Sequence, residues 1–287
     1  MKYAFIGEQC RDHSVLTLCR VMGVSTSGYY DWCARPESRR AQTNRRLLTK
    51  IHCFHKASRG IYGSPRIHQD LVSCGERVGI NRVAKLMKCA GIQSRMAKRF
   101  VITTDSKHTL APSPDHLQRD FHRTQQDQAW VSDTTFIATR QGWLYLAVVL
   151  DVYSRRVIGW SMSGTNNRQL VVDALTMAIW RRGKTRDVIV HSDQGSTYAS
   201  GAYQQLLKEY ALTGSMSRKG ECLDNAVAES FFGTLKTEWV DHEDYSTKSV
   251  AKQSIFEYIE VFYNRQRRHS YLGYVSPVEY ESKCVSQ

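Results

Sequence analysis

The sequence contains no long apolar run. None approaches the roughly 20 residues that span a bilayer, and the mean hydropathy is −0.45. The first residues, Met1 to Glu8, form no apolar core before charges resume, so no secretory signal is expected. Cysteine is scarce, with 8 in 287 residues, and no two have the C-x-x-C spacing of a zinc ribbon. Such a count is also low for a disulfide scaffold of this length. His52, Cys53 and His55 lack a second ligand pair at finger spacing, so no zinc site is read there. The thiols are expected to be reduced and mostly buried. Internal repeats and low-complexity tracts are absent too. Hydrophobic residues make up 41% of the chain, which excludes wholesale disorder. Together these absences leave a soluble, cytoplasmic globular protein of one or two domains.

What is present in excess is positive charge, and it is unevenly placed. The chain carries 40 Lys and Arg against 27 Asp and Glu, a net +13. Residues 1–125 hold 22 basic and 9 acidic groups, whereas residues 126–287 hold 18 of each. The whole excess therefore lies in the first part, as in a polyanion-binding arm joined to a domain with another task.

That basic part reads as two helix-turn-helix-like segments, 1–40 and 41–97. Val15, Leu18, Cys19 and Met22 follow the helical i, i+3, i+4, i+7 pattern. Gly23 breaks that helix, and Ser25 can cap the next. In the second segment Ser64 and Pro65 look like an N-cap and first-turn pair. Asn81 looks like the cap of a helix with Val83, Leu86, Met87 and Ala90 on its apolar side. Arg82, Lys85 and Lys88 recur every three residues on the polar side, which suits a helix lying against DNA phosphates. Residues 98–127 have little periodicity and read as a linker or an arm across the surface.

From Ala129 the texture changes. Ala129–Thr139, Trp143–Leu150 and Arg156–Ser163 are β-rich and separated by short turns, predicting an antiparallel meander. A helical stretch from Leu170 to Ala178 follows, then a strand over Asp187–Ser192, a helix over Tyr203–Tyr210 and a strand over Leu212–Met216. The pattern predicts an α/β domain with a mixed five-stranded sheet over 128–240 and a C-terminal helical extension over 241–287.

Three acids stand out. Asp133 lies within the first predicted strand, Asp193 ends a buried strand, and Glu229 lies in a helix opened by Asp224 and Asn225. Carboxylates in apolar surroundings are costly unless paired, solvated or bound to metal. Strand ends are where α/β folds place ligands. Mg²⁺ takes carboxylate oxygens, and two such ions can serve both the attacking and the leaving oxygen of a phosphodiester. Lys236 follows Glu229 by seven, two helical turns along the same face, where it could hold a DNA phosphate. Arg265, Arg267, Arg268 and His269 cluster after the apolar residues Ile255, Ile259 and Phe262 and are further candidates for DNA contact.

Asp133 and Asp193 are 60 positions apart, and 35 residues separate Asp193 from Glu229. With this spacing the sequence resembles the retroviral-integrase-like transposases. More narrowly, it resembles the second-frame protein of bacterial insertion sequences of the IS-three group. The matching text is Trp130-x-x-Asp133-x-Thr135, His191-Ser192-Asp193-x-Gly195-x-x-Tyr198 and Asp224-Asn225-Ala226-x-x-Glu229-Ser230-Phe231-Phe232. A further match is Tyr263-Asn264-x-x-Arg267-x-His269-x-x-Leu272-Gly273-Tyr274-x-Ser276-Pro277. Tyr62-Gly63-Ser64-Pro65-Arg66-Ile67 and Arg82-Val83-x-x-Leu86-Met87 also match, and Arg66 joins the DNA-contact candidates.

The resemblance implies an RNase H-like core, two Mg²⁺ or Mn²⁺ ions held by Asp133, Asp193 and Glu229, and recognition of the element's terminal inverted repeats. It also implies strand cleavage and strand transfer at one site, an upstream-frame protein as partner, and assembly as a homo-oligomer on double-stranded DNA near the nucleoid. The chain starts at Met1 without a heptad region, so it reads as the second-frame product by itself. The competing reading is a non-catalytic DNA-binding regulator of transposition. A third is a nuclease of the same fold that cuts without joining.

Overall fold

The structure, a computed structural model, describes residues 2–95, 113–117, 120–183, 187–217 and 225–284. The chain opens with three short helices, α1 (Lys2–Gln9), α2 (Val15–Met22) and α3 (Thr26–Ala34). They close around Ile6, Leu18, Cys19 and Tyr29. The Ser14 and Ser25 side chains accept backbone N–H bonds from Thr17 and Gly28, capping α2 and α3. Gly23 ends α2 at φ 59°, a left-handed conformation that glycine adopts without strain.

A second helical unit holds α4 (Arg39–Ala57), α5 (Ser64–Ser73) and α6 (Ile80–Cys89). Two expected caps are displaced. Gly63 caps α5, leaving Ser64 as its first helical residue, and Gly79 caps α6, placing Asn81 inside the first turn. The sequence reading missed α4 altogether. Among its residues only Leu47 and Ile51 are buried, so its apolar stripe is too thin to stand out from a run of arginines.

The sheet comprises β1 (Ala129–Thr139), β2 (Gly142–Asp151), β3 (Val157–Ser163), β4 (Ile189–Ser192) and β5 (Thr213–Met216). Its order is β3-β2-β1-β4-β5. The first three strands pair antiparallel, whereas β4 and β5 add in parallel. Helices α7 (Arg168–Arg182) and α8 (Gly201–Glu209) cover one face. The other carries α9 (Ala226–Glu238) and α10 (Lys248–Phe256), the latter running into a π-helical stretch over Glu257–Tyr263. The last helix is α11 (Pro277–Cys284). The expected mixed five-stranded sheet with flanking helices is what forms, with strand limits within two residues of those predicted.

Strand alternation then assigns faces. Trp130 packs with α7, whereas Val131 and Ile137 pack with α9 and α10. Asp133 shares the parity of Val131 and so points toward the α9 side.

Residues 113–117, within the stretch expected as a linker or an arm across the surface, lie against the sheet. The Pro114 carbonyl accepts from Met216 N at 3.4 Å, His116 N donates to Ser215 Oγ at 2.9 Å, and Leu117 is buried. This segment covers part of the β5 edge, which would otherwise invite pairing with another chain. The remainder of the expected arm up to Pro112 lies outside the described residues. Among the described residues no helix is long and apolar enough to cross a membrane.

Gly159 on β3 allows the closest helix–sheet approach. A Cβ there would stand 2.8 Å from the backbone nitrogen of Ala178 and nearer still to the Ala174 carbonyl. Because both obstacles are backbone, neither can step aside. Gly159→Ala is expected to cost about 3 kcal/mol or more, read as a lowered urea midpoint. An unchanged midpoint would show that α7 shifts freely on the sheet.

Candidate active site

Parallel pairing brings the two aspartates together. The last aligned pair of β1 and β4 is Val131 with His191. Two residues further along each chain come Asp133 and Asp193, side by side where β4 has just ended. Each carboxyl is oriented by a backbone donor. Asp133 Oδ1 accepts from Thr134 N at 2.7 Å, and Asp193 Oδ1 accepts from Gly195 N at 2.9 Å. A Cβ on residue 195 would lie 2.8 Å from that Asp193 oxygen, so any side chain there would push the Asp193 carboxyl from its place.

Glu229 occupies the first turn of α9, which packs on β1. Burial holds the Asp133 carboxyl well above the usual carboxylate range, and the charges of Asp193 and then Glu229 push it further. The Thr134 N–H and Lys236 act in the opposite direction. Glu229 is raised by burial, and Lys236 is lowered by burial. Asp133 and Asp193 are thus a close pair, with Glu229 a third charge that Asp133 feels. Among the described residues no three His, Cys, Asp or Glu side chains are already drawn into a compact metal cage. Residues 218–224, which lead into α9 and include Asp224, lie outside the described residues.

The donor set nevertheless fits a hard dication. It consists of carboxylate oxygens, two of them oriented by backbone N–H groups, and its excess negative charge strains Asp133 toward protonation. Stability should show this strain. A carboxyl whose folded pKa is raised destabilises the folded state as pH rises from its unfolded value, near 3.8, through its folded one. In chelator, Asp133→Asn is therefore expected to raise Tm by a few degrees. A lower Tm for this variant in chelator would contradict the like-charge picture.

On the opposite face of β1, Ser132 Oγ donates to the Val148 carbonyl at 3.0 Å and lies 3.2 Å from Tyr198 Oη. Tyr198 is buried and packs edge-on against Tyr203. It forms a firm floor beneath both aspartates. His191 is buried, with Nδ1 2.9 Å from Ser215 Oγ, and packs within the sheet.

The basic candidates separate into two groups. Lys85 and Lys88 on α6 and Arg265 after the π-helical stretch are exposed. Arg82 is half-buried, and its Nε and Nη2 both donate to Asn44 Oδ1, at 3.0 and 2.7 Å, so it braces α4 rather than facing phosphates with Lys85 and Lys88. Arg267 is 5% exposed and grips both oxygens of Glu238 at 2.7 Å. Burial works against its charge, but Glu238 outweighs that and holds the guanidinium above its ordinary pKa. Arg66 donates to Glu238 Oε1 at 3.1 Å and to the Arg268 carbonyl at 3.0 Å. Arg268 in turn donates to Asp70 Oδ1 at 2.6 Å and to the Tyr274 carbonyl at 2.9 Å. Expected as DNA contacts, Arg66, Arg267 and Arg268 instead fasten α5 to the core. Glu238 and Asp70 were not singled out in the sequence because their partners are up to about 200 positions away. Lys236 Nζ lies over the Phe136 ring, 5.0 Å from its centroid.

The strand order and the three acids at its crossover define an RNase H-like integrase core with a DNA-binding helical unit before it. Residues 123–222 match the integrase core domain family, residues 229–285 a second integrase core domain model, and residues 42–100 an HTH-like domain. The chain is 41% identical over 292 aligned positions to transposase InsF of insertion sequence IS3A from Escherichia coli K12, with all of both chains covered. It is also 41% identical to the 31 kDa protein of insertion element IS600 from Shigella sonnei, over 93% of this chain and 98% of that one. The chain belongs to the family of IS3-type insertion-sequence transposases, polynucleotidyl transferases of the DDE class. Among solved structures it is similar to the HTLV-2 integrase catalytic core domain in complex with magnesium. There the TM-score is 0.42 and the identity 16%, over 55% of this chain and 97% of the other.

Proposed function

We propose that this transposase binds the terminal inverted repeats of its own element and cuts and joins DNA strands at Asp133, Asp193 and Glu229. Two Mg²⁺ or Mn²⁺ ions held by these carboxylates would activate the attacking oxygen and neutralise the leaving one. The observation that carries the reading is the side-by-side placement of Asp133 and Asp193 where β4 ends, with Glu229 acting on the same carboxyl. In this scheme the protein forms no covalent intermediate with DNA. Water first exposes a 3′-hydroxyl, which then attacks a second phosphodiester. Lys236, close enough for Asp133 to feel its charge, holds a phosphate of the strand being cut.

End binding is assigned to α4–α6. Residues 37–95 contain 13 basic and 3 acidic groups, whereas residues 1–36 contain 4 and 3. The first helical unit therefore lacks the charge expected of a second DNA reader. The upstream-frame protein and further copies of this chain are the proposed partners, and the bacterial nucleoid the proposed location.

Strand transfer of labelled element ends, with and without Mg²⁺ and the upstream-frame protein, tests this reading. Metal-dependent joining is expected, and tight end binding without cutting or joining would favour a regulator. Lys85→Gln with Lys88→Gln is expected to weaken binding to all sequences alike. Each lost phosphate contact should also flatten the slope of log K against log salt by about 0.9. Superimposable binding curves would show that the two lysines only solvate α6.

A further inference from the structure

Among the described residues β1 has no strand partner on the β4 side beyond Val131, and the β1–β2 hairpin runs on past the carboxylates. One face of this hairpin packs inward through Ile137 and Leu144. The other, the side opposite Asp133, carries Phe136, Ala138 and Trp143, which share a side by register. Phe136 is 37% and Trp143 51% exposed. Their rings meet edge to face with centroids 4.9 Å apart. Lys236 reaches over the open edge of β1 to cap the Phe136 ring, and its charge is also felt by Asp133. By strand alternation this strip lies on the face of β1 opposite Asp133, so a cation and two exposed aromatic rings sit round the open edge of β1 from the candidate active site. Trp143 pairs with Ala138, five residues beyond Asp133. At about 3.3 Å per residue this is roughly 16 Å, close to five base-pair steps of about 3.4 Å.

We propose that Trp143, held in place by Phe136, is a stacking platform for one unstacked nucleobase of the DNA engaged at the active site. The occupant is a base rather than another protein because Lys236, whose charge acts on Asp133, also borders the strip. DNA lying over Asp133 and Asp193 with a phosphate at Lys236 reaches the open edge of β1 round which the strip lies. Stacking suits such a site because every base has a π-face, so the contact is tolerant of sequence and adds strength. Phe136 acts through Trp143 and is a positioning residue. The inference rests on the reading of the site as a DNA-joining centre.

The test uses the full chain and duplexes copying the element's own termini, with a single abasic site moved outward from the cut. In the wild type one abasic position is expected to slow joining roughly tenfold. Trp143→Ala is expected to cost a similar factor on intact DNA, and the two losses should not multiply. Phe136→Leu, which keeps apolar bulk at the hairpin, should show a smaller loss at the same position. Trp143→Ala joining at the wild-type rate, or losses that multiply at every position, would overturn the proposal.

A second measurement separates this outcome from failure of the joining reaction itself. Asp193→Asn protein is bound to a duplex with 2-aminopurine at successive positions, and its fluorescence is compared with and without Trp143→Ala. Quenching at one position that disappears with the tryptophan supports the platform even where no joining occurs. Quenching indifferent to Trp143 refutes it.

Discussion

Asp133→Asn, Asp193→Asn and Glu229→Gln are each expected to abolish cleavage and joining while leaving DNA binding close to that of the wild type. Each substitution removes one negative charge from a site proposed to hold two dications. Such ions supply several kcal/mol of transition-state stabilisation, and each 1.4 kcal/mol or so is tenfold in rate, so losses of about 10²- to 10⁴-fold are expected. The fold should tolerate the changes. An Asn at 133 or 193 retains the Oδ1 that accepts from Thr134 N or Gly195 N, and an amide is cheaper to desolvate than a carboxylate. End binding should persist because the charge excess lies in residues 37–95. Asp224→Asn is the control: the sequence reads Asp224 as a helix-start residue, where Asn also caps well, and the N-cap of α9 is its neighbour Asn225. Near-normal strand transfer by any folded member of the triad would refute the assignment. An equal loss at Asp224 would mean that the metal site lies elsewhere.

The largest stability effect is expected at Glu238. Its carboxylate takes two bonds from Arg267 and one from Arg66. Glu238→Ala would leave the buried Arg267 guanidinium facing aromatic rings, with its centre already 5.7 Å from the centroid of Tyr263. Breaking a buried pair on one side typically costs about 3–5 kcal/mol, because the remaining charge is neither solvated nor matched. Replacing both partners should cost less, so Glu238→Leu with Arg267→Met is expected to recover much of the loss. Urea unfolding of the two variants measures both effects. A loss under about 1 kcal/mol for Glu238→Ala would show that water reaches Arg267.

The sheet was legible in the sequence because its strands alternate or run apolar between clear turns, as in Trp143–Leu150. The three acids were picked out by their spacing and the resemblance that carries it, because each by itself reads equally well as an ordinary strand or helix-face carboxylate. Helix α4 was hidden because burying Leu47 and Ile51 suffices to dock it, and its arginines mask that period. The roles of Arg66, Arg267 and Arg268 were hidden by distance along the chain. A basic cluster near a predicted DNA-binding segment reads as a phosphate contact until the acids that meet it, Glu238 and Asp70, are seen in space. Lys85 and Lys88 differ from them only in what faces them.

Helix α9 carries Glu229 in its first turn and Glu238 in its last. The same ten-residue span therefore links the candidate active site to the clasp on α5, and Arg59 stacked 4.3 Å over Trp239 reinforces that clasp. A protein so jointed behaves as a caliper. Its jaws are the helical unit and the carboxylates proposed to grip and to cut DNA, and its opening is set by the fold. Moving the gripped sequence along the DNA by a whole helical turn, about 34–36 Å, should carry the cut with it by the same number of base pairs. A half-turn shift should carry it likewise, because the caliper measures from the bases it holds and not from the end of the element.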